Sequence, residues 1–218
     1  MARSGGRVPL DRARIVAAAV ALADARGLAA LSMRSLADQL GCGTMSLYNH
    51  VAGKDELHSA MVDAVGAEIV DPAPDLAPLA AVRALAVATR EVFLVHPWAP
   101  GVWLRHLPGP ERVQRMELQL GLLASSGLSP EVAHLGFHAV NNHVLGYTLQ
   151  ELELTMGGDD PAATIQRFLD SVDPVQHRHT VAHVHQHLDG ETASSFELVL
   201  DLILEGLVRL DGVDGRPR

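Results

Sequence analysis

The segment from residue 32 to residue 54, SMRSLADQLGCGTMSLYNHVAGK, constrains the fold of this chain more than any other part of it. Ser32 is placed to cap a helix, and Leu36 lies on the apolar edge of that helix. Gly41-Cys42-Gly43 ends the helix and permits the positive φ angles of a sharp turn. The pattern predicts two short helices joined by a glycine turn, in which Cys42 packs as an apolar plug rather than acting as a redox sensor.

The second helix of this segment has two unlike faces. Leu47 and Val51 return it to the core. Its other face carries side chains that form hydrogen bonds or contact phosphates, and not a run of solubilising charges: Thr44, Met45, Ser46, Tyr48, Asn49 and His50. This is the layout of a helix-turn-helix motif whose second helix reads DNA.

Two stretches of the motif and its surroundings, LSMRSLA at 31–37 and LYNHVAGKDEL at 47–57, resemble the tetracycline-repressor (TetR) family of bacterial regulators. Weaker likeness at HPW (96–98), LGYTL (145–149) and FELVLDLILEGL (196–207) points to the tetracycline-repressor subgroup. The resemblance implies an all-α protein. It has an N-terminal three-helix helix-turn-helix DNA-binding domain, followed by a helical domain for ligand binding and dimerisation.

Proline and glycine breaks divide the chain into five predicted segments. These are a flexible basic arm (1–9), the helix-turn-helix domain (10–53), a connecting helix (54–71), the ligand-binding and dimerisation domain (72–211) and a disordered tail (212–218). The arm is either simply disordered or in contact with DNA. Within the fourth segment helices are predicted near 76–95, 110–126, 130–156, 161–170, 174–188 and 191–211, and no sheet is predicted.

Side chains near the start of a helix in the major groove read base edges, whereas others hold the helix through phosphates. Thr44, Met45 and Asn49 are therefore predicted to contact bases. The predicted phosphate contacts are Ser32, Arg34, Ser35, Ser46, Tyr48, His50 and Lys54. Instead of contacting phosphate, Tyr48 could pack over the turn, and Lys54 could be a solvated lysine whose charge is offset by Asp55 and Glu56.

The formal charge of −9 argues against a general nucleic-acid coat, but it is unevenly distributed. Residues 1–58 hold seven basic and five acidic residues, so the remaining 160 residues net −11. Phosphates repel such an acidic body, which helps to orient the head on a duplex. No secretory segment is recognisable and no apolar run reaches the ~18 residues of a membrane span, so a cytoplasmic protein without a membrane partner is expected.

Two predicted helices carry apolar residues every three or four positions, one at 132–154 and one at 196–208. In the second, these residues are Phe196, Val199, Leu200, Ile203, Leu204 and Leu207. The core of the chain itself accounts for part of each stripe. By resemblance, the two helices pair with those of a second copy in a four-helix bundle, giving a homodimer that places two recognition helices on double-stranded operator DNA.

The resemblance also implies that the body binds a small-molecule effector, which moves the connecting helix. The candidate lining residues are aromatic or polar groups in apolar helices: His96, Trp98, Trp103, His106, Phe137, His138, Asn141 and Tyr147. Each of them has a core or surface role as its alternative. Asn141 could also form hydrogen bonds across a dimer interface, because buried amides require partners.

Five histidines lie between residues 177 and 187, and two of their pairs have the i,i+4 spacing that chelates zinc or nickel. No cysteine or nearby carboxylate completes a site, so a solvated histidine-rich face is the prediction, with no metal and no cofactor. A metal sensor remains a competing hypothesis, which metal retained after gel filtration would favour. An enzyme is the third hypothesis, but none of the common catalytic or nucleotide-binding motifs occurs.

Overall fold

The computed structural model describes residues 9–156, 160–188 and 195–214, and these contain only helices, turns and loops. The all-α prediction is therefore confirmed. One short 3₁₀ helix spans Leu28–Ala30. The α-helices are α1 (Arg12–Arg26), α2 (Met33–Leu40), α3 (Thr44–Tyr48), α4 (Lys54–Ala67), α5 (Pro78–Val95), α6 (Pro100–Trp103), α7 (Pro110–Ala124), α8 (Pro130–Met156), α9 (Pro161–Asp170), α10 (Arg178–Leu188) and α11 (Ser195–Asp214).

Helices α1 to α3 form a small head around one part of the hydrophobic core. The Asp11 side chain caps α1 by accepting a hydrogen bond from the Arg14 backbone N–H at 2.8 Å. Ile15 of α1, Leu36 of α2 and Leu47 of α3 are fully buried. Three short helices thus share one apolar centre, which holds α3 at a fixed angle.

Helix α4 joins the head to the body and is shorter than predicted. It ends at Ala67 instead of residue 71, because the Glu68 N–H bonds to the Val65 carbonyl at 3.1 Å and the Ile69 N–H to the Gly66 carbonyl at 3.4 Å. These i→i+3 bonds tighten the last turn. The chain then turns inward and buries Ile69 against the body.

The body packs α5, α7, α8 and α11 around a second part of the core, in which Phe93, Leu123 and Phe196 are fully buried. Arg83 of α5 binds two carboxylates of α11, Glu197 at 2.8 Å and Asp201 at 2.6 Å. These ion pairs are half exposed, so apolar burial holds the two helices together more than charge does.

The body contains one helix that was not predicted, and several of its helix ends differ: α5 begins at Pro78 and not at 76, and α7 ends at Ala124 and not at 126. Helix α6 was not predicted, because the prolines around it read as a break. Helix α10 begins at Arg178 and not at 174, after a stretch of turns. Helix α11 continues to Asp214 rather than ending at 211, since the Asp211 carboxylate accepts a hydrogen bond from the Ser129 N–H at 2.9 Å and ties its last turns to the start of α8.

Residues 1–8 of the predicted arm and residues 215–218 of the predicted tail lie outside the described residues. Among the residues that are described, no helix combines the length and the apolar character needed to cross a membrane.

The apolar stripe predicted for the second copy is mostly used within the chain. Phe196, Leu200, Leu204 and Leu207 are buried in its own core. The helical period cannot say which chain covers an apolar face, and here the intrachain core takes the larger share. The face of α11 that stays outside carries Leu198 and Leu202, and α8 adds Leu135; Leu202 is 66% exposed.

Candidate DNA-binding surface and effector cavity

The turn between α2 and α3 depends on one glycine. Gly41 has φ 63° and ψ 36°, the left-handed conformation that glycine adopts without strain. The Gly41 N–H donates to the Asp38 carbonyl at 3.2 Å, and the Cys42 N–H donates to the Ala37 carbonyl at 3.0 Å. Gly43 is extended with φ −76°, so the freedom predicted for both glycines is used only at Gly41.

The outward face of α3 is exposed and largely uncharged. Met45 is 75% exposed, Tyr48 is 46% exposed, and Asn49 directly follows the helix on the surface. Thr44, Ser46 and His50 are half-buried. A methionine with so little intrachain burial has no packing role in the chain itself. The predicted base contacts of Thr44, Met45 and Asn49, and the phosphate contacts of Ser46, Tyr48 and His50, stay predictions.

Ser32 and Ser35 are committed to a capping box at the start of α2. Ser32 Oγ accepts from the Ser35 N–H at 3.0 Å, and Ser35 Oγ accepts from the Ser32 N–H at 2.9 Å. Ser35 also donates to the Ala30 carbonyl at 2.9 Å. Their hydroxyls therefore stabilise the helix start, whether or not they also contact phosphate.

Arg34 and Lys54 are exposed, so both are accessible to phosphate as predicted. Lys54 begins α4 beside Asp55 and Glu56, so its phosphate contact stays a prediction and the solvated position stays its alternative. The Glu56 side chain binds Arg12 at 3.0 Å and accepts from the Ala52 N–H at 2.5 Å. The carboxylate of Glu56 thus fixes the turn before α4.

A cavity of about 420 Å³ lies in the body between the end of α4, helices α5, α7 and α8, and the loop after α6. Its volume falls in the range of small-molecule sites. Phe93 and Trp103 form one wall, with ring centroids 4.9 Å apart in an edge-to-face arrangement. Gln119 and Asn141 supply polar groups, and the Asn141 amide donates to Gln119 Oε1 at 2.9 Å.

The charged residues that line this cavity are all arginines: Arg105, Arg112 and Arg115. Arg112 is only 4% exposed and donates to the carbonyls of Trp103 and Leu107, each at 2.6 Å. Sequence reasoning missed these residues, although the clustering of basic side chains at 105–115 was a visible signal.

The cavity wall touches the connecting helix at two points. A Cβ on Gly66 would lie 2.9 Å from Arg112 Cγ and 3.5 Å from the Trp103 ring, so the absence of a side chain allows this close approach. Nearer the head, the ring of His58 lies 6.1 Å from that of His106. Burial lowers the pKa of His58, and the charges of Lys54 and His106 lower it further.

Three of the eight predicted ligand residues line the cavity: Trp103, His106 and Asn141. Phe137, His138 and Tyr147 do not. Tyr147 donates to or accepts from Ser195 Oγ at 2.5 Å and packs against Phe196. Phe137 packs against the core, and His138 is exposed beside it. These three residues were predicted to line the cavity because of their residue types. The direction of each side chain on α8, however, decides whether it points into the cavity.

His96 and Trp98 lie at a different place, between the body and the head. His96 is buried with Nδ1 2.9 Å from Asp24 of α1 and Nε2 3.0 Å from Glu68. The Trp98 indole N–H donates to the same Asp24 oxygen at 2.6 Å. Burial alone would lower the pKa of His96, but the hydrogen bonds to Asp24 and Glu68 outweigh burial and raise it.

The histidine-rich helix is exposed at residues 177, 179, 183 and 185, and the side chain of residue 187 lies outside the described part. His179 accepts a hydrogen bond from Arg178 at 3.2 Å. Over 9–156, 160–188 and 195–214, no three histidine, cysteine or acidic side chains are grouped to hold a metal ion.

These features together define a class: a helix-turn-helix protein whose helical body encloses a small-molecule cavity against the helix that joins it to the head. Residues 15–61 match the model of bacterial regulatory proteins of the tetR family, and residues 74–210 match that of the tetracyclin repressor-like C-terminal domain. The chain therefore belongs to the TetR family of transcriptional regulators, as its sequence motifs predicted.

Its relatives are regulators of transcription rather than enzymes. The repressor DrrR1 of Streptomyces coeruleorubidus is 38% identical over 151 residues, which are 68% of this chain and 56% of that protein. A regulator of Saccharopolyspora erythraea is 37% identical over 141 residues, 63% of this chain and 59% of that one. The chain thus matches less than two thirds of the length of these two curated relatives.

Among solved structures, the chain is similar to the TetR family protein ActR of Streptomyces coelicolor. In complex with actinorhodin, ActR has a TM-score of 0.80 and 30% identity, covering 94% of this chain and 98% of that one. In complex with (S)-DNPA, the TM-score is 0.77 and the identity 31%, covering 94% of this chain and all of that one.

Proposed function

We propose that this protein is a ligand-responsive transcriptional repressor that binds a palindromic operator as a homodimer and is released by a small-molecule effector. One observation carries the proposal: the cavity wall contacts α4 at Gly66 and His58, and the same helix begins at Lys54, five residues after the end of the recognition helix. A ligand that reshapes the wall therefore displaces an element that positions the head.

The relatives support both halves of this proposal. DrrR1 is described as a repressor, and ActR has been solved with two different small molecules bound. Their common fold suggests operator binding and effector binding for this chain too. A chemical step is not part of the proposal.

The homodimer rests on the apolar face that the chain leaves uncovered. Leu198 and Leu202 of α11 and Leu135 of α8 are all more than half exposed. A single recognition helix contacts only a few base pairs, so a second copy that places another helix one DNA turn away is needed for a specific operator. We infer that α8 and α11 pair with their counterparts in that copy.

Selection of genomic DNA fragments tests the operator. The purified protein is mixed with sheared DNA from its own genome, and the retained fragments are sequenced. We expect an enriched palindrome whose half-sites are about one helical turn apart. Retention of DNA without any shared sequence would contradict a specific repressor.

Light scattering tests the homodimer. We expect a dimer for the natural sequence and a folded monomer for Leu202→Glu, because a charge on the outward face of α11 does not disturb the core of the chain. Val175→Glu is the matched control, since Val175 is also an exposed apolar residue but lies outside α8 and α11. A dimer that persists in Leu202→Glu places the interface elsewhere.

A further inference from the structure

The charged side chains on the walls of the cavity are positive, whereas the protein as a whole has a negative charge. The chain has a formal charge of −9, yet the charged residues among those lining the cavity are three arginines and no carboxylate. Such clefts attract ions of the opposite charge, because apolar walls concentrate the field.

The most buried of these arginines is only partly neutralised. The nearest carboxylate to Arg112 is that of Asp63, 3.8 Å from Nε, and Asp63 also accepts a hydrogen bond from the Arg112 backbone N–H at 3.1 Å. The partners of the Arg112 Nη atoms are neutral carbonyls, and Nε has no hydrogen-bond partner in the described part of the chain. Burial accordingly lowers the pKa of Arg112, and Asp63 offsets this only in part.

The two remaining arginines differ in their pairing. Arg115 forms an ion pair with Asp71 and donates to the Ile69 carbonyl at 3.2 Å. Arg105 is exposed at the cavity, and its guanidinium forms no ion pair with any residue that the structure describes. Three guanidinium groups thus face two carboxylates, neither of which lines the cavity, and one positive charge is left uncompensated.

The rest of the lining favours an aromatic molecule. Trp103 offers an aromatic surface that the fully buried Phe93 supports from behind, and Leu145 and Met116 extend the apolar surface. Gln119 uses its Oε1 to accept from Asn141, which leaves its amide N–H groups for a ligand oxygen.

We propose that the effector is an aromatic acid, whose ring system lies against Trp103 and Met116 and whose ionised acidic group binds Arg105 in the positive field of the buried Arg112. This inference rests on the proposed function, because it assigns a ligand class to the same cavity. An ionised carboxylate, sulfonate or phenol supplies the acceptor that the Arg105 guanidinium lacks. Arg112, whose Nη atoms already donate to carbonyls, contributes its positive charge.

A matched pair of fluorescent probes tests the ligand class. Anilinonaphthalene sulfonate and N-phenylnaphthylamine share one aromatic framework, but only the first carries an anionic group. Each is titrated into the full-length protein at low and high salt. We expect the anion to bind more tightly by about tenfold or more at low salt, since a charge-assisted hydrogen bond is stronger than a neutral one. An anion that binds no more tightly than the neutral probe would overturn the proposal.

Two arginine variants locate the preference. Arg105→Met and Arg112→Met are each expected to reduce the ratio of the two affinities towards one while retaining the neutral probe. Arg209→Met is the control, because Arg209 lies on the surface of α11 and pairs with Glu205 at 2.8 Å. Circular dichroism checks whether Arg112→Met is folded. If it is not, Arg105→Met decides the question, because Arg105 is exposed and its replacement does not disturb the core. Ratios unchanged in the folded arginine variants would overturn the acid assignment.

Met116→Trp separates this inference from the proposed function, because a larger side chain at this position of α7 fills the cavity. Loss of both probes in Met116→Trp shows that the cavity is the binding site. In that case a missing anion preference refutes only the acidic effector. If Met116→Trp binds both probes as well as the natural sequence does, the cavity is not the site and the proposed effector route fails as well.

Discussion

Two junctions between the head and the body differ in how completely their polar atoms are paired. The histidine junction consists of Asp24, Glu68, His96 and Trp98, and every ring nitrogen in it has a carboxylate partner within 3.0 Å. The cavity junction consists of His58, Gly66, Trp103, His106 and Arg112. In it, His58 Nε2 and Arg112 Nε are buried without hydrogen-bond partners among the described residues.

This difference suggests different mechanical roles. A junction whose polar groups are all paired loses hydrogen bonds in any displacement and therefore resists one. The cavity junction also holds hydrogen bonds, since Asp63 of α4 accepts from the Arg112 N–H at 3.1 Å. Its two unpaired atoms can gain partners in a displacement, however, and it lies on the wall that a ligand contacts. We expect the head to pivot about the histidine junction while the cavity junction changes, because a ligand shifts an equilibrium only where its contacts differ between the two states.

The largest effect on operator affinity is expected from a large side chain placed at the cavity junction. Gly66→Leu introduces a side chain where even a Cβ would lie 2.9 Å from Arg112 Cγ, so α4 must move away from α7. Overpacking of this kind costs about 1–3 kcal/mol, which corresponds to a loss of about 5- to 150-fold in operator affinity if the head follows α4. Fluorescence anisotropy with the selected operator measures the change.

Gly121→Leu is the matched control for Gly66→Leu. Gly121 also lies within a helix, but a Cβ there has no neighbour within 4 Å. It is expected to keep the operator affinity and the effector response. Unchanged operator binding by a stably folded Gly66→Leu dimer would show that the cavity junction does not set the position of the head.

A smaller effect is expected at the histidine junction, and on stability rather than on switching. His96→Gln removes the ring whose two nitrogens bond to both Asp24 and Glu68, leaving two carboxylates near each other. The free energy of unfolding should fall by about 1–2 kcal/mol, a value reduced for the exposure of Glu68. Denaturant unfolding measures it. A variant of normal stability that no longer responds to the effector would reverse the roles of the two junctions.

The pH dependence of stability should have opposite signs at the two junctions. The pKa of His96 is raised by folding, so its contribution is complete below its unfolded pKa and is lost as pH rises through the folded pKa. The pKa of His58 is lowered, so its neutral form is tolerated at high pH, and stability is lost as pH falls from the unfolded pKa through the folded one.

Denaturant unfolding of the natural sequence, His96→Gln and His58→Gln from about pH 5 to about pH 9 measures both slopes. The advantage of the natural sequence over His96→Gln should shrink as pH rises, whereas its advantage over His58→Gln should grow. The charged groups that act on these histidines are Asp24 and Glu68 for His96, and Lys54, Asp55, Arg105 and His106 for His58. Parallel slopes would show that the two junctions do not differ in this respect.

The sequence predicted the parts of the molecule that depend on neighbours along the chain. The Ser32 cap, the left-handed Gly41 and the buried Leu47 each follow from a local pattern, and the structure confirms them. The all-α fold and the family followed from the same motifs. Helix ends were less predictable: α11 continues past Asp211, which accepts a hydrogen bond from the Ser129 N–H just before α8, and no local signal indicates that partner.

The cavity was only partly predictable, because its lining depends on which way side chains point in the folded body. Trp103, His106 and Asn141 were predicted as lining residues and do lie on the cavity wall, and their contact with a ligand stays a prediction. His96 was also assigned to the lining, but it binds Asp24, which lies 72 positions away in sequence. No sequence pattern singled out Gly66. Its importance comes from the approach of Arg112, a contact that neither periodicity nor residue type reveals.

The smallest effect is expected at the end of α4 that is farthest from Gly66. Lys54 is exposed at the first residue of the helix, so Lys54→Ala should remove one phosphate contact without moving α4. Operator affinity should fall equally for all DNA sequences, and the slope of log affinity against log salt should become shallower by about one. The effector response should persist, because both junctions are intact. Anisotropy titrations over a range of salt concentrations, with and without effector, measure both. If Lys54→Ala leaves the salt slope unchanged but abolishes release, Lys54 positions α4 instead of binding phosphate, and the signal from the cavity depends on the whole helix rather than on the cavity junction.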